Sequence, residues 1–402
     1  MALLGAALHW RTAIVPFADP PAPVGLGQGP LSHMANLFST LAIPGRAVLI
    51  VLRGTNDAAL PAAALAHALS WTLWLALTLS VFTLWRWARG SARQIQPATP
   101  TEPASADLSR RRLFTDGAAA VVLASAASTA GLLVTGTVVT PRSLRVTRYR
   151  VPIADLPAAL DGLRIAQVCD THLGPDVPAA HIRRAVQMAL DLRPDLVVLV
   201  GDYITRGPAQ VTPAAELLAP FAQSGVPVVG VLGNHDHYAR CAPLMHAALL
   251  RVGVRMIDNA RLYLDARSRT LTTLAPPPGQ ALCVAGVGDL DHGLVEPHAA
   301  LGDVDPQTPR VLLSHNPDVA ELPALRPIRV DLMLSGHTHG GQVRLPLLGT
   351  PIVPSRYGAK YARGLVQGPS CRVLISAGIG TSILPIRLGV PPEVLEITIT
   401  RA

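Results

Sequence analysis

Five short polar clusters, each following a run rich in Val, Leu or Ile, constrain this chain more than any other feature. They are Asp170-Thr171-His172, Gly201-Asp202, Gly233-Asn234-His235-Asp236, Ser314-His315 and Gly336-His337-Thr338-His339. The apolar runs before them, 163–168, 196–200, 226–232, 311–313 and 330–334, have the length and branching of buried strands. Carboxylates and imidazoles therefore recur at the carboxyl ends of strands, the edge of an α/β sheet where sites form. Together the clusters supply three carboxylates, one amide and five imidazoles, enough donors for two divalent metals.

Organisation follows the same alternation. Segments 178–190, 212–223 and 242–251 suit helices between the first strands, whereas 261–264, 282–287, 372–376 and 394–400 read as further strands. That shift from βαβ units to mostly β predicts an α/β sandwich of two sheets flanked by helices over 158–402. Residues 141–157 read as a linker.

The N-terminal part obeys different rules. The chain is 50% hydrophobic but only 4% aromatic, with a mean hydropathy of +0.36, too apolar for an ordinary soluble enzyme. Residues 60–85 and 117–140 carry no charge and are long enough to cross an apolar core about 30 Å thick. Segments 37–52 and 1–17 are weaker, each interrupted by an arginine, so a membrane region over 1–140 has two firm spans and at most four. Arg86, Arg89, Arg93, Arg110, Arg111 and Arg112 lie between the firm spans. The positive-inside rule keeps their loop cytoplasmic and sends the later residues outward. Ser109–Phe114 also resembles a twin-arginine export signal.

Charge argues against a nucleic-acid partner. The net +8 sits wholly in residues 1–150, with 13 Arg against five acidic residues, while 151–402 balances 21 basic against 21 acidic residues. A neutral catalytic region lacks the electrostatic footprint of a DNA binder. The four cysteines form no CxxC pair and identify no redox compartment.

In order and residue type the five clusters resemble the D-x-H, G-D, G-N-H-D/E, H and G-H-x-H signature of calcineurin-like metallophosphoesterases, from 163 to the C-terminus. The stretches GHTHGGQ (336–342) and PPEVLEITI (391–399) are similar to the bacterial membrane-associated branch. Thr171 and Cys169 depart from that branch, which usually has Leu and Ser there; neither position is a family ligand. The resemblance implies an αββα sandwich and a dinuclear centre of Mn, Fe, Zn or Co that acidifies a bridging water for attack on a phosphate mono- or diester. It implies Asp170, His172 and His339 on the first metal, Asn234, His315 and His337 on the second, and Asp202 bridging. His235 is implied as the non-ligand acid, with Asp236 orienting its imidazole. His237 is a rival to His315, and Asp289, Asp291 and His292 form another polar cluster after a strand. Membrane tethering makes a phospholipid or lipid pyrophosphate attractive as substrate, at a bacterial plasma membrane with the catalytic domain outside the cytoplasm. No protein partner is implied. A metal-binding membrane sensor without turnover is the alternative.

Overall fold

The computed structural model describes residues 124–402, except 126, 133 and 347. The chain divides into compact units Met1–Thr129 and Ala130–Ala402. The spans expected at 60–85, 37–52 and 1–17 and the arginine-rich stretch 109–114 lie outside the described residues, and 117–140 enters them only at 124. Among the described residues no helix is long and apolar enough to cross a membrane.

Two sheets form the second unit. One comprises β1 (Arg145–Ile153), β2 (Leu163–Val168), β3 (Leu196–Val200), β4 (Val228–Val231), β5 (Arg255–Met256) and β13 (Glu393–Arg401), in the order β1-β13-β2-β3-β4-β5. The other comprises β6 (Ala260–Asp265), β7 (Leu271–Thr272), β8 (Ala281–Gly286), β9 (Arg310–Leu313), β10 (Leu332–Ser335), β11 (Gly364–Gln367) and β12 (Arg372–Ile375). Its order is β11-β12-β10-β9-β8-β6-β7. Strands β2, β3 and β4 run parallel, as do β8, β9, β10 and β12.

Alternation along the strands explains the layering. In β3, Leu196, Val198 and Val200 join Leu313, Leu334 and Leu374 in a core between the sheets. Val197 and Leu199 turn the other way, against helices α1 (Ala179–Asp191), α2 (Val211–Gln223) and α4 (Ala242–Arg251). A third cluster packs α5 (Pro297–Leu301) and a 3₁₀ turn at Pro317–Glu321 on the outer face of the second sheet. Strands buried on both faces need continuous apolar runs, and β3 is one. The two-sheet α/β expectation holds, but the linker does not. Residues 145–153 form a nine-residue strand paired in parallel with β13. Its arginines and Pro152 hide the pattern in the sequence, because only Val151 and Ile153 are buried.

Candidate metal centre

All five clusters emerge where parallel strands end. Asp170 follows β2, Asp202 follows β3, Asn234 opens the short helix α3 (Asn234–Tyr238) after β4, His315 follows β9 and His337 follows β10. The spacing alone predicts extended backbone carrying both members of Asp170-x-His172 and His337-x-His339 to one side. The backbone does otherwise: Asp170, His172, Asp202, His337 and His339 have φ between 45° and 68°. Left-handed conformations cost non-glycine residues free energy and concentrate where surrounding structure enforces them. Each kink turns a side chain off its strand axis into the shared pocket. Glycine is required beside them by close approach: a Cβ on Gly233 would collide with Asp202 Oδ1, and one on Gly336 with Asp170 Oδ2.

The donors converge. Ligand atoms of Asp170, His172, Asp202 and His339 lie within 4.8 Å of one another, and all four residues are buried. His172 Nε2 stands 3.0 Å from His339 Nε2 and 3.2 Å from Asp202 Oδ2. Asp202 Oδ2 is also 3.2 Å from His315 Nε2. Asn234 Oδ1 lies 3.0 Å from His315 Nε2 and 3.1 Å from His337 Nδ1. Spacings of roughly 3 Å are those of donors sharing one ion at bond lengths near 2.1 Å. Two imidazole nitrogens facing each other need a proton or a cation between them. Asp170 Oδ2 is buried without a hydrogen-bond partner, a cost that a cation at this carboxylate can remove. These residues fit a divalent metal.

Electrostatics agrees with that fit. Burial alone would raise the pKa of Asp202, but the His315, His235 and His172 rings hold it well below the usual range. Burial pulls His315 down, yet the Asp202 carboxylate outweighs it and pushes the ring up to about 10. His315 Nδ1 donates to Val200 O at 2.8 Å, so Nε2 is the atom facing Asp202 and Asn234. The second proton on that ring supplies positive charge that a cation would replace. Burial, His172 and Arg387 keep His339 well below its ordinary value, leaving a neutral ring with a lone pair to give.

Asp236 corrects one expectation. Its carboxylate accepts the backbone N–H groups of Asp202 (3.1 Å), Tyr203 (3.0 Å) and Gly233 (3.0 Å), not the His235 ring. With the Ile204 N–H at 3.4 Å, four amides converge on it because the chain turns tightly after both β3 and β4. Asp236 therefore braces the Asp202 turn, while Asp202 Oδ1 accepts His235 N–H at 2.8 Å. The His235 ring meets Ser382 Oγ at 3.1 Å through Nε2 and lies edge-on to His172, centroids 4.7 Å apart. Burial pushes His235 down to about 4.

Ser382, Gln342 and Arg387 belong to this neighbourhood, and no sequence motif assigned them to it. The Gln342 amide clasps the Ser382 main chain, donating to Ser382 O at 2.8 Å and accepting Ser382 N–H at 2.9 Å. Arg387 is fully buried; its guanidinium donates to Ala377 O (2.6 Å), Val390 O (3.2 Å) and Gly380 O (2.9 Å), and Nη2 lies 3.3 Å from His339 Nδ1. The glutamine of GHTHGGQ was the available signal. Of the other candidates, His237 stacks on His292 with centroids 4.7 Å apart, and His292 Nδ1 lies 2.5 Å from Asp289 Oδ2. Neither histidine belongs to the buried four-residue cluster.

Comparison with known proteins gives one consistent picture. The calcineurin-like phosphoesterase family model matches residues 163–341. Over 295 residues the chain is 28% identical to the uncharacterized metallophosphoesterase YkuE of Bacillus subtilis, covering 72% of this chain and 97% of that one. Over 234 residues it is 31% identical to the phosphodiesterase YaeI of Escherichia coli, covering 58% and 80%. Over 294 residues it is 27% identical to the UDP-2,3-diacylglucosamine pyrophosphatase LpxG of Chlamydia trachomatis, covering 63% and 88%.

Proposed function

This chain belongs to the calcineurin-like phosphoesterase family and is a metal-dependent phosphoester hydrolase; from that premise we propose that it acts from a membrane anchor on phosphate mono- or diesters, lipid-linked esters among them. One atom carries the reading. Asp202 Oδ2 stands 3.2 Å from both His172 Nε2 and His315 Nε2, so a single carboxylate oxygen serves two donor sets. Asp170, His172, Asp202 and His339 would hold one divalent ion, and Asp202, Asn234, His315 and His337 the other. Mn, Fe, Zn and Co all suit such mixed oxygen and nitrogen ligands. Two bound ions would supply a nucleophile at neutral pH and a sink for phosphoryl charge.

The chain's own residues do the rest. Asp236 holds the Asp202 turn rigid through backbone amides. His235, neutral in the free pocket, takes a proton from solvent water as phosphate charge arrives and passes it from Nε2 to the leaving alkoxide oxygen as the P–O bond breaks, returning to the neutral ring. Ser382 Oγ fixes that nitrogen's direction. The uncharged runs 60–85 and 117–140 support the anchor, and the arginines between them support a catalytic domain outside the cytoplasm of a bacterial plasma membrane. The name of the LpxG relative supports an acylated pyrophosphate as the natural substrate.

The test is hydrolysis of p-nitrophenyl phosphate and bis-p-nitrophenyl phosphate by the purified full chain loaded with Mn²⁺, with bound metal measured on the same sample. Asp202→Ala is expected to lose both turnover and metal. Full activity in that variant overturns the assignment, and two bound ions with no turnover on either ester returns the chain to the sensor reading.

A further inference from the structure

Among the described residues, six of the thirteen exposed large apolar side chains lie on three segments that meet at one loop. Leu132, Val134, Val138 and Val139 belong to the helical stretch before Thr140, Leu348 is 76% exposed on a hairpin, and Ile383 is 48% exposed on the loop itself. The loop spans 382–389. On one side, Gly136 O accepts the N–H of Arg387 at 2.8 Å, and a Cβ on Gly136 would stand 3.3 Å from Ile386 Cγ2. On the other side, Leu388 N–H donates to Gln342 O at 2.8 Å, and Arg344 N–H donates to Leu388 O at 2.7 Å. The Leu345–Gly349 bridge then closes the hairpin that carries Leu348. The three segments form one apolar lip.

The same loop borders the candidate centre. Ser382 meets His235 and Arg387 meets His339, so the lip is carried by the backbone that flanks the pocket. Ile383 holds its exposed side chain at a φ of 65°. For a β-branched residue that conformation is strained, and strain of this kind persists where function needs it.

What covers the lip is indicated by what leads into it and what surrounds it. The uncharged run 117–140 ends in the residues packed on the loop. Arg142, Arg344 and Arg356 stand exposed on the adjoining segments. An apolar edge flanked by arginines and continuous with an uncharged run matches an anionic bilayer surface rather than a soluble partner. We propose that this lip docks on an anionic phospholipid bilayer, so that the pocket takes its phosphate esters from amphiphiles in the membrane plane. The proposal rests on the phosphoesterase reading above for its chemistry but not for its geometry.

The test uses the full chain in phosphatidylcholine vesicles with and without phosphatidylglycerol. The four cysteines are buried, so Ile383→Cys, Leu348→Cys and, as a control in the loop between β7 and β8 at the opposite edge of the second sheet from β11, Leu274→Cys can each be labelled with an environment-sensitive nitrobenzoxadiazole. Doxyl-labelled lipid is expected to quench positions 383 and 348 strongly and 274 little, most of all with the anionic lipid. Equal quenching at all three, or none, overturns the proposal. In parallel, Ile383→Glu combined with Leu348→Glu should slow hydrolysis of phosphatidic acid in vesicles roughly tenfold while p-nitrophenyl phosphate turnover stays within about twofold. Equal losses on both esters, or no loss, overturns it. Wild-type protein that hydrolyses neither ester refutes the phosphoesterase reading, and the quenching result still decides the lip.

Discussion

At the scale of single residues, two side chains show how differently the same pocket values contacts. Arg387 is fully buried with its guanidinium spread over backbone carbonyls, and burial pushes its pKa down to about 10. Burying a charge costs several kcal/mol unless its donors are satisfied, and here carbonyls of the 377–380 turn and Val390 satisfy them. Arg387→Met strips that turn of its donors beside Asp170 and His339, so a loss of about 3–5 kcal/mol is expected, or roughly 6–20 °C in a thermal melt. Arg387→Lys should recover less than half, because one ammonium cannot reproduce the fork; full recovery would mean that charge alone matters. Ser382 is worth far less. Its single hydroxyl contact with His235 is a neutral hydrogen bond, so Ser382→Ala should lower kcat by roughly two- to tenfold. His235→Ala, losing the proton donor itself, should lower it by about 10²–10⁴-fold. Comparable losses in the two variants would remove His235 from its proposed role.

At the scale of elements, legibility tracks burial. Strand β3 is a continuous apolar run and β2 is apolar apart from Arg164 and Gln167; the observed bounds of both coincide with the sequence reading, as do those of α4. Strand β1 reads as a linker because Arg145, Arg148 and Arg150 stand on a sheet edge where one row of side chains meets solvent. An edge strand need not alternate cleanly, and its partner β13 lies more than two hundred residues away. The left-handed kinks are invisible for another reason: Asp and His tolerate positive φ more often than most residues, but not often enough for a sequence to announce it. The motif by itself pairs Asp236 with the wrong partner, because two turns closing on one carboxylate is a tertiary fact. The strand assignment predicts a measurable cost at Ile153, which is fully buried between the sheets. Ile153→Ala should destabilise by about 2–5 kcal/mol in chemical denaturation, where a linker residue would give almost nothing.

At the scale of the whole molecule, the site joins two sheets that meet elsewhere through an apolar core and a few polar contacts such as Gln167 Nε2 to Ser335 O at 2.8 Å. Asp170, His172, Asp202 and Asn234 come from loops of the first sheet, and His315, His337 and His339 from the second. Without a cation the junction contains two buried carboxylates and at least one extra proton on His315. Ions held by ligands from both sides should therefore tie the sheets together and stabilise the fold, not only supply chemistry. Ligand linkage puts the gain at about 4 kcal/mol when free metal exceeds its Kd about a thousandfold, or roughly 8–16 °C in melting temperature. Stripping the full chain with a chelator is expected to lower its melting temperature by that order, and readdition of Mn²⁺ or Zn²⁺ to restore it. Asp202→Asn removes the charge shared by both donor sets while keeping the side chain's size, so its metal-induced rise should shrink by more than half. An equal rise in the variant and the wild type would mean that the ions bind elsewhere, and the shared-carboxylate centre would have to be abandoned.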